Sequence, residues 1–183
     1  MSYLITCSGS KKTPSNERLS SLDNLYRHNI LGVHRQNLLN QSGIILDWNK
    51  TLPAFELYCG PRSKIYKKIR VYNWQKECVD VLILSALFGW IRHNDLIPTY
   101  DLSMNQRIGN MLSPTYIYWR NLEVLSTIIN NKDVDLLSDN YKRALSSDGI
   151  ISAVIPNGFV YSDRGDCVGY WLENELNNLV CTN

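Results

Sequence analysis

Three stretches of this chain combine residue types that could do chemistry. The first is Ser8-Gly9-Ser10-Lys11-Lys12, where two hydroxyls, a glycine and two ammonium groups directly follow a short apolar run. Glycine lets the backbone approach an anion, hydroxyls donate hydrogen bonds, and lysine supplies a point charge. The spacing is not that of a Walker phosphate loop, which needs G-x-x-x-x-G-K. An ordinary solvated turn is the plainer alternative. The second stretch carries Arg62, Lys64, Lys67, Lys68, Arg70 and Lys76 with no acid among them, interleaved with Tyr66, Tyr72 and Trp74. Cations beside aromatic faces suit a phosphate backbone with stackable bases, although a solvated face answering acids elsewhere would read the same.

The third stretch runs from Leu84 to Leu102 and holds Arg92, His93, Asp95 and Asp101 with the aromatics Trp90 and Tyr100. A segment rich in titratable and aromatic groups just past a strand end is a good place for a site. Asp95 would act there as a general base or offset a developing cation, and Trp90 or Tyr100 would sandwich a planar base. The blander reading makes Asp95 a turn cap before Pro98 and the aromatics core. His93, followed by two polar residues, reads as exposed.

These segments need elements to position them. Tyr3 to Cys7 and Val79 to Ser85 read as near-continuous hydrophobic strands buried on both faces, and Ile150 to Ile155 is a third candidate halted by Pro156-Asn157-Gly158. Helical spacing appears over Pro61 to Lys76, where Ile65, Ile69 and Tyr72 form one stripe. It recurs over Ser113 to Asn130, Asn140 to Ser146 and Gly169 to Leu179. Strands alternating with helices predict an α/β fold, one compact domain over residues 1–183 with a mainly parallel or mixed sheet flanked by helices. Both glycine-bearing segments should then share a cleft, because the strands they follow should be neighbours.

Composition agrees with a folded domain: of 183 residues, 44% are hydrophobic and 20% charged, which excludes wholesale disorder. No apolar run reaches the roughly 18–20 residues of a membrane span, so a soluble cytoplasmic protein is the expectation, with no membrane partner. Cys7, Cys59, Cys78, Cys167 and Cys181 are odd in number and lack any CxxC pair, which predicts neither a disulfide scaffold nor a zinc site, and no cofactor. Nineteen basic against seventeen acidic residues leave a net charge of +2, so a polyanion would have to be met by local clusters.

The run LSALFGWIRHNDLIPTYDLSM resembles the signature of the YaaA family of peroxide-stress proteins, with its Leu-Ser-Gly-Leu-Tyr-Gly, arginine and Asp-Leu-Ile-x-Pro-Tyr-x-Leu-x-Met. Tyr118-Trp119 is similar to the family's Phe-Trp, and Leu136 to Lys142 to its Asn-Leu-Ala-Ser-x-Glu-Tyr-Phe-Lys segment. Arg164-Gly165, Tyr170 and Glu173-Asn174 are similar to its Arg-Gly-x-x-x-Arg-Tyr-Ile-x-Glu-Asn motif. Cys7 to Lys11 stands where the family carries Ser-Pro-Ala-Lys. The chain departs from the pattern in its shorter length, its compressed Gly158 to Arg164 segment and the missing second arginine near Gly169.

The resemblance implies a compact α/β protein with a positive cleft, DNA binding through a helix-hairpin-helix-like element, and protection of DNA from oxidative damage. Relatives attached to base-modification systems extend the implication to chemistry on a nucleobase. The leading expectation is therefore a DNA glycosylase acting on a modified base, either flipped from a duplex or in single-stranded DNA. Asp95, which matches the family's aspartate, would be its carboxylate and Lys11 the alternative amine catalyst. Trp90 and Tyr100 would stack the base, and Ser8, Ser10, Lys12, Arg62, Lys64, Lys67, Lys68, Arg70 and Arg164 would hold phosphates. A non-enzymatic DNA-binding stress protein, or an enzyme of small nucleotides, are the alternatives.

Overall fold

The structure, a computed structural model, describes residues 1–109, 113–156 and 165–181. Its centre is a four-stranded mixed sheet. The apolar runs at Tyr3–Thr6 (β1) and Val81–Ser85 (β3) are buried at every position and pair in parallel, Tyr3 opposite Val81 and Thr6 opposite Leu84. Covering both faces of such strands needs crossover elements, and these come from helix α1 (His28–Ser42) and the short helices α2 (Ala54–Leu57) and α3 (Val71–Trp74). The α/β expectation is met. Among the described residues no helix is long and apolar enough to cross a membrane.

Several expected elements differ. Residues 89–98 are not a loop: Gly89–Arg92 (β4) returns antiparallel along β3, and Leu96–Pro98 (β5) pairs antiparallel with Thr51–Pro53 (β2). The third parallel strand is Val134–Asp135 (β6), not Ile150 to Ile155, and it forms an edge in the order β4-β3-β1-β6. From the Ile150 segment only Val154 bridges to Val134, and Ile150, Val154 and Ile155 are exposed, so nothing covers a longer strand there. Helix α4 (Thr115–Leu122) stops where Glu123 enters the left-handed region at φ 54°, and the chain continues only as a 3₁₀ turn at Ser126–Ile128. Helix α5 covers Asp139–Lys142 and α6 covers Asp166–Asn178, close to expectation.

The largest correction concerns Pro61 to Lys76, which is not one helix. Ile65 and Tyr66 turn into the core, where the Tyr66 hydroxyl donates to the Thr6 carbonyl at 2.7 Å. Ile69 and Arg70 are then extended before α3 begins. Glu173 of α6 enforces the break, because its carboxylate accepts from the Arg70 amide at 2.9 Å, the Arg70 Nε at 2.6 Å and the Asn73 side chain at 2.9 Å. A carboxylate that captures a mid-segment amide outweighs helix propensity, which is worth well under 1 kcal/mol per residue. Cys78 and Cys181 are joined in a disulfide, against the expectation of none, tying the turn before β3 to the end of the chain.

Burial raises the Glu173 pKa, but the Asn73, Arg70 amide and Arg70 guanidinium bonds outweigh it and hold the carboxyl below its ordinary value. A depressed folded pKa means stability present above the unfolded value and lost as pH falls through the folded one. Glu173→Ala should cost about 1–3 kcal/mol, the loss of a charge-assisted network, and lower Tm by about 2–4 °C per kcal/mol. Glu173→Gln should recover part of that and remove the acid-side sensitivity. Thermal unfolding from pH 7 down to pH 3 measures both, and an unchanged Tm would mean α6 does not organise this segment.

Candidate nucleotide-binding cleft

β1 and β3 end side by side, and the groups just beyond them converge. Cys7 follows β1, and its Sγ lies 3.0 Å from the Tyr141 hydroxyl of α5 and 4.0 Å from that of Tyr100. The Tyr100 hydroxyl also shares hydrogen bonds with the Tyr58 hydroxyl at 2.7 Å and with Ser85 Oγ, the last residue of β3, at 2.8 Å. Burial pushes all three phenols well above their ordinary pKa, so they stay neutral and able to donate. Above this polar floor lies Lys11, its Nζ 4.3 Å from the Tyr100 ring centroid and 5.9 Å from that of Tyr58.

Lys11 is half-buried, and burial lowers its pKa, with Cys7 and Asp101 acting in the opposite direction. The carboxylate that acts on Lys11 is thus Asp101. Asp95 sits at the other end of the sheet, because β4 runs back along β3 until Arg92 faces Leu82. There Asp95 Oδ2 accepts from the Tyr26 amide at 2.9 Å and the Arg92 amide at 3.0 Å. Burial raises its pKa, opposed by those amides and by the charges of Arg35 and Arg92. The blander reading of Asp95, a turn cap, is the one its contacts support.

Trp90 is likewise core, fully buried with its indole N–H donating to the Leu125 carbonyl at 3.0 Å, so no base can stack on it. Tyr100 is 5% exposed, with Lys11 lying over it. His93 is buried against Trp74 rather than exposed. Arg164 lies outside the described residues.

The cations divide. Arg62 and Lys64 line a cavity of about 210 Å³ together with Cys7, Ser8, Gly9, Ser63 and Tyr66. Its walls are stitched together by the Arg62 amide, which donates to Ser10 Oγ at 3.0 Å, and by Ser8 Oγ, which accepts from the Ser10 amide at 3.1 Å. Gly60 is required here, since a Cβ would lie 2.5 Å from the Ser10 carbonyl carbon. Lys68 and Arg70 are engaged by α6, Lys68 with Tyr170 at 3.0 Å and Asp166 at 3.5 Å, and Arg70 with Glu173. Lys67 donates to the Pro61 carbonyl, Lys76 caps the carbonyls ending α6, and Lys12 lies 4.0 Å from Glu56.

Ser8, Arg62 and Lys64 therefore line one strand-end cavity braced by Ser10, and Cys7, which lines it too, connects it to Tyr100 and Lys11, while Asp95, Trp90, Lys68 and Arg70 do not join it. Sequence reasoning missed Cys7, Tyr58, Ser63 and Tyr141. Position alone could have flagged Cys7, since it stands between β1 and the serine turn, but Tyr58 follows α2 and Tyr141 lies in α5, with no motif that joins them. Among the described residues no cluster of His, Cys, Asp and Glu is arranged to hold a metal ion. A larger cavity of about 780 Å³ lies between α4 and residues 145–152, but it holds only Arg120 and Glu123 as charges and no buried unpartnered polar atom.

Residues 10–172 match the family model described as Peroxide stress protein YaaA. No curated protein matches the chain.

Lys11 and Asp95 should respond differently because their surroundings differ. A folded pKa below the unfolded one means that Lys11 loses its proton at lower pH than a free lysine. Acylation of Lys11 across a pH series, read by peptide mass spectrometry, should inflect below the same lysine in an unfolded peptide. Asp95→Asn should leave that inflection in place yet lower Tm by several degrees, because it removes the charge facing buried Arg35. A Lys11 inflection that moves with Asp95→Asn would restore Asp95 to the cleft.

Proposed function

This chain belongs to the YaaA peroxide-stress family, and from that premise and the cleft we propose a DNA-binding enzyme that releases a base, with the Lys11 amine attacking the sugar. The observation that carries the reading is the half-buried Lys11, its pKa lowered, lying over neutral phenols at the C-terminal ends of two parallel strands, where α/β sheets bind ligands. An amine must be unprotonated to attack, and partial desolvation raises that fraction near neutral pH. Arg62 and Lys64, in the cavity that Cys7 also lines, suit the phosphates flanking an extruded nucleotide.

In the reaction, the Lys11 nitrogen bonds to C1′ as the C1′–N glycosidic bond breaks. The base leaves with the electron pair and takes up the proton that the substituted nitrogen must shed. Tyr100 and Tyr58 share a hydrogen bond, Cys7 Sγ stands between Tyr100 and Tyr141, and this neutral network gives the amine a floor without a counter-charge. Opening of the sugar then gives an imine, which water hydrolyses to return the amine. Asp95 has no part in this sequence of steps. A grip without chemistry, the non-catalytic stress-protein reading, would use Arg62 and Lys64 in the same way and is separated by the tests below.

Incubating the protein with genomic DNA from several sources, including heavily modified phage DNA, should release a free base detectable by mass spectrometry. Borohydride should trap a protein–DNA adduct on Lys11. Lys11→Ala should abolish both, a loss of at least about 10²-fold in release, while keeping most DNA affinity. No released base from any DNA, or full activity in Lys11→Ala, would sink the proposal.

Neutralising Arg62 and Lys64 together should flatten the salt dependence of binding by about 0.9 in log–log slope for each phosphate left without its cation. Neutralising Arg70 should instead lower Tm with the slope unchanged. An equal effect on slope from Arg70 would mean that the whole basic segment faces DNA.

A further inference from the structure

We propose that the cavity between the Ser8-Gly9 turn and the Arg62-Ser63-Lys64 turn is a seat for a single phosphate group, with the Ser63 hydroxyl as its innermost donor. The site deepens the reading above, since Cys7 both lines the cavity and acts on Lys11, and it rests on that reading only for the source of the phosphate. Ser63 is 6% exposed, and its Oγ is buried with no hydrogen-bond partner in the structure. Its own amide is already used, closing a turn onto the Gly60 carbonyl at 3.0 Å. A buried hydroxyl left unpaired inside a polar cavity marks a missing acceptor. The space, about 210 Å³, has room for a tetrahedral oxyanion in front of that hydroxyl.

Everything around that hydroxyl favours an anion. Arg62 and Lys64 line the cavity, and among the described residues no acid does. Ser8 Oγ accepts from the Ser10 amide, which leaves its own proton to donate. Gly9 has open space in front of its backbone. Gly165, the residue before α6, lines the cavity and has no side chain to cap the helix, so the positive end of a 13-residue helix dipole lies at this wall. Asp166 on that first turn would oppose an anion, but it is paired with Lys68 at 3.5 Å. Lys64 packs against Gly165, where a Cβ would lie 2.5 Å from the Lys64 Cβ, and this holds the cation at the helix end. A tetrahedral oxyanion meets a hydroxyl donor, two cations and a helix terminus from different sides, which is the donor set a phosphate requires.

The test is calorimetric titration of the full chain with inorganic phosphate, against chloride at matched ionic strength. Wild type should bind phosphate, and Ser63→Ala should weaken binding at least about tenfold while its phosphate-free Tm holds or rises, because an unpaired polar group is removed. Arg62→Gln with Lys64→Gln, both exposed, should weaken it similarly and covers the case in which Ser63→Ala fails to fold. No heat beyond chloride, Ser63→Ala binding as well as wild type, or a lowered Tm with unchanged affinity would each overturn the seat. Competition against a short single-stranded oligonucleotide assigns the source. Displacement by phosphate supports a nucleic-acid phosphate, and a seat filled without displacement supports a free one. Because phosphate binding is read without DNA or base release, it can stand where the base-release reading falls, and the reverse.

Discussion

The guanidinium of Arg35 is the interaction from which the cleft is hung. It is fully buried, with Nε donating to the Phe88 carbonyl at 2.7 Å and Nη2 to the carbonyls of Tyr26 at 2.8 Å and Trp90 at 2.7 Å. Burial lowers its pKa to about 10, with the charge of Asp95 opposing the fall, so it stays charged at neutral pH. Such a buried charge needs most of its donors paired and a counter-charge near: carbonyls hold Nε and Nη2, Nη1 has no hydrogen-bond partner among the described residues, and the β4–β5 turn supplies the carboxylate. The consequence travels to the cleft through packing. Phe88, whose carbonyl Arg35 holds, lies edge-on against Tyr100 at 5.3 Å, and its amide donates to Ser85 Oγ. Tyr100 in turn carries Lys11 on its face.

The same arrangement explains why the carboxylate singled out by motif sits away from Lys11. A half-buried carboxylate near an arginine is recognisable in sequence as a loop aspartate near a turn proline, which is also what a catalytic acid looks like. The two differ only in what they face, and facing is set by β4 reversing direction after Gly89. Once that reversal is in place, Arg92 to Asp95 must lie at the starting end of the parallel strands, and five further residues bring the chain back so that Tyr100 and Asp101 reach the finishing end.

Legibility follows burial. β1 and β3 are readable because a strand covered on both faces has no polar alternation to confuse it, and their parallel pairing is what places the Ser8 turn and Tyr100 together. Residues 61–76 mislead because Ile65 and Ile69 have helical spacing, while the force that breaks the helix comes from Glu173, some hundred residues away. No local pattern encodes that. Residues 89–98 mislead for a related reason: Trp90, Ile91 and Ile97 are β-strand residues, but the intervening Arg92-His93-Asn94-Asp95 looks like an exposed functional loop. The phenol cluster is illegible since Tyr58, Tyr100 and Tyr141 come from three separated elements, and only the fold makes them neighbours.

The division of the basic residues finally bears on how the protein could hold a polyanion at a net charge of only +2. A helix with six cations along one face would bind any backbone strongly and without regard to position. The structure instead commits Lys68, Arg70 and Lys76 to α6 and leaves Arg62 and Lys64 on a cavity wall with Cys7, whose charge acts on Lys11. Two cations and a helix terminus give modest long-range attraction, since charges beyond about 8–10 Å are screened at physiological salt. What they can do is fix one phosphate at a defined distance from one amine. Affinity spread over a surface serves a protein that coats DNA, whereas charge concentrated at a cavity serves one that must register a single nucleotide against a reactive group. The placement of these cations is therefore an argument for chemistry at the cleft that their number alone would not make.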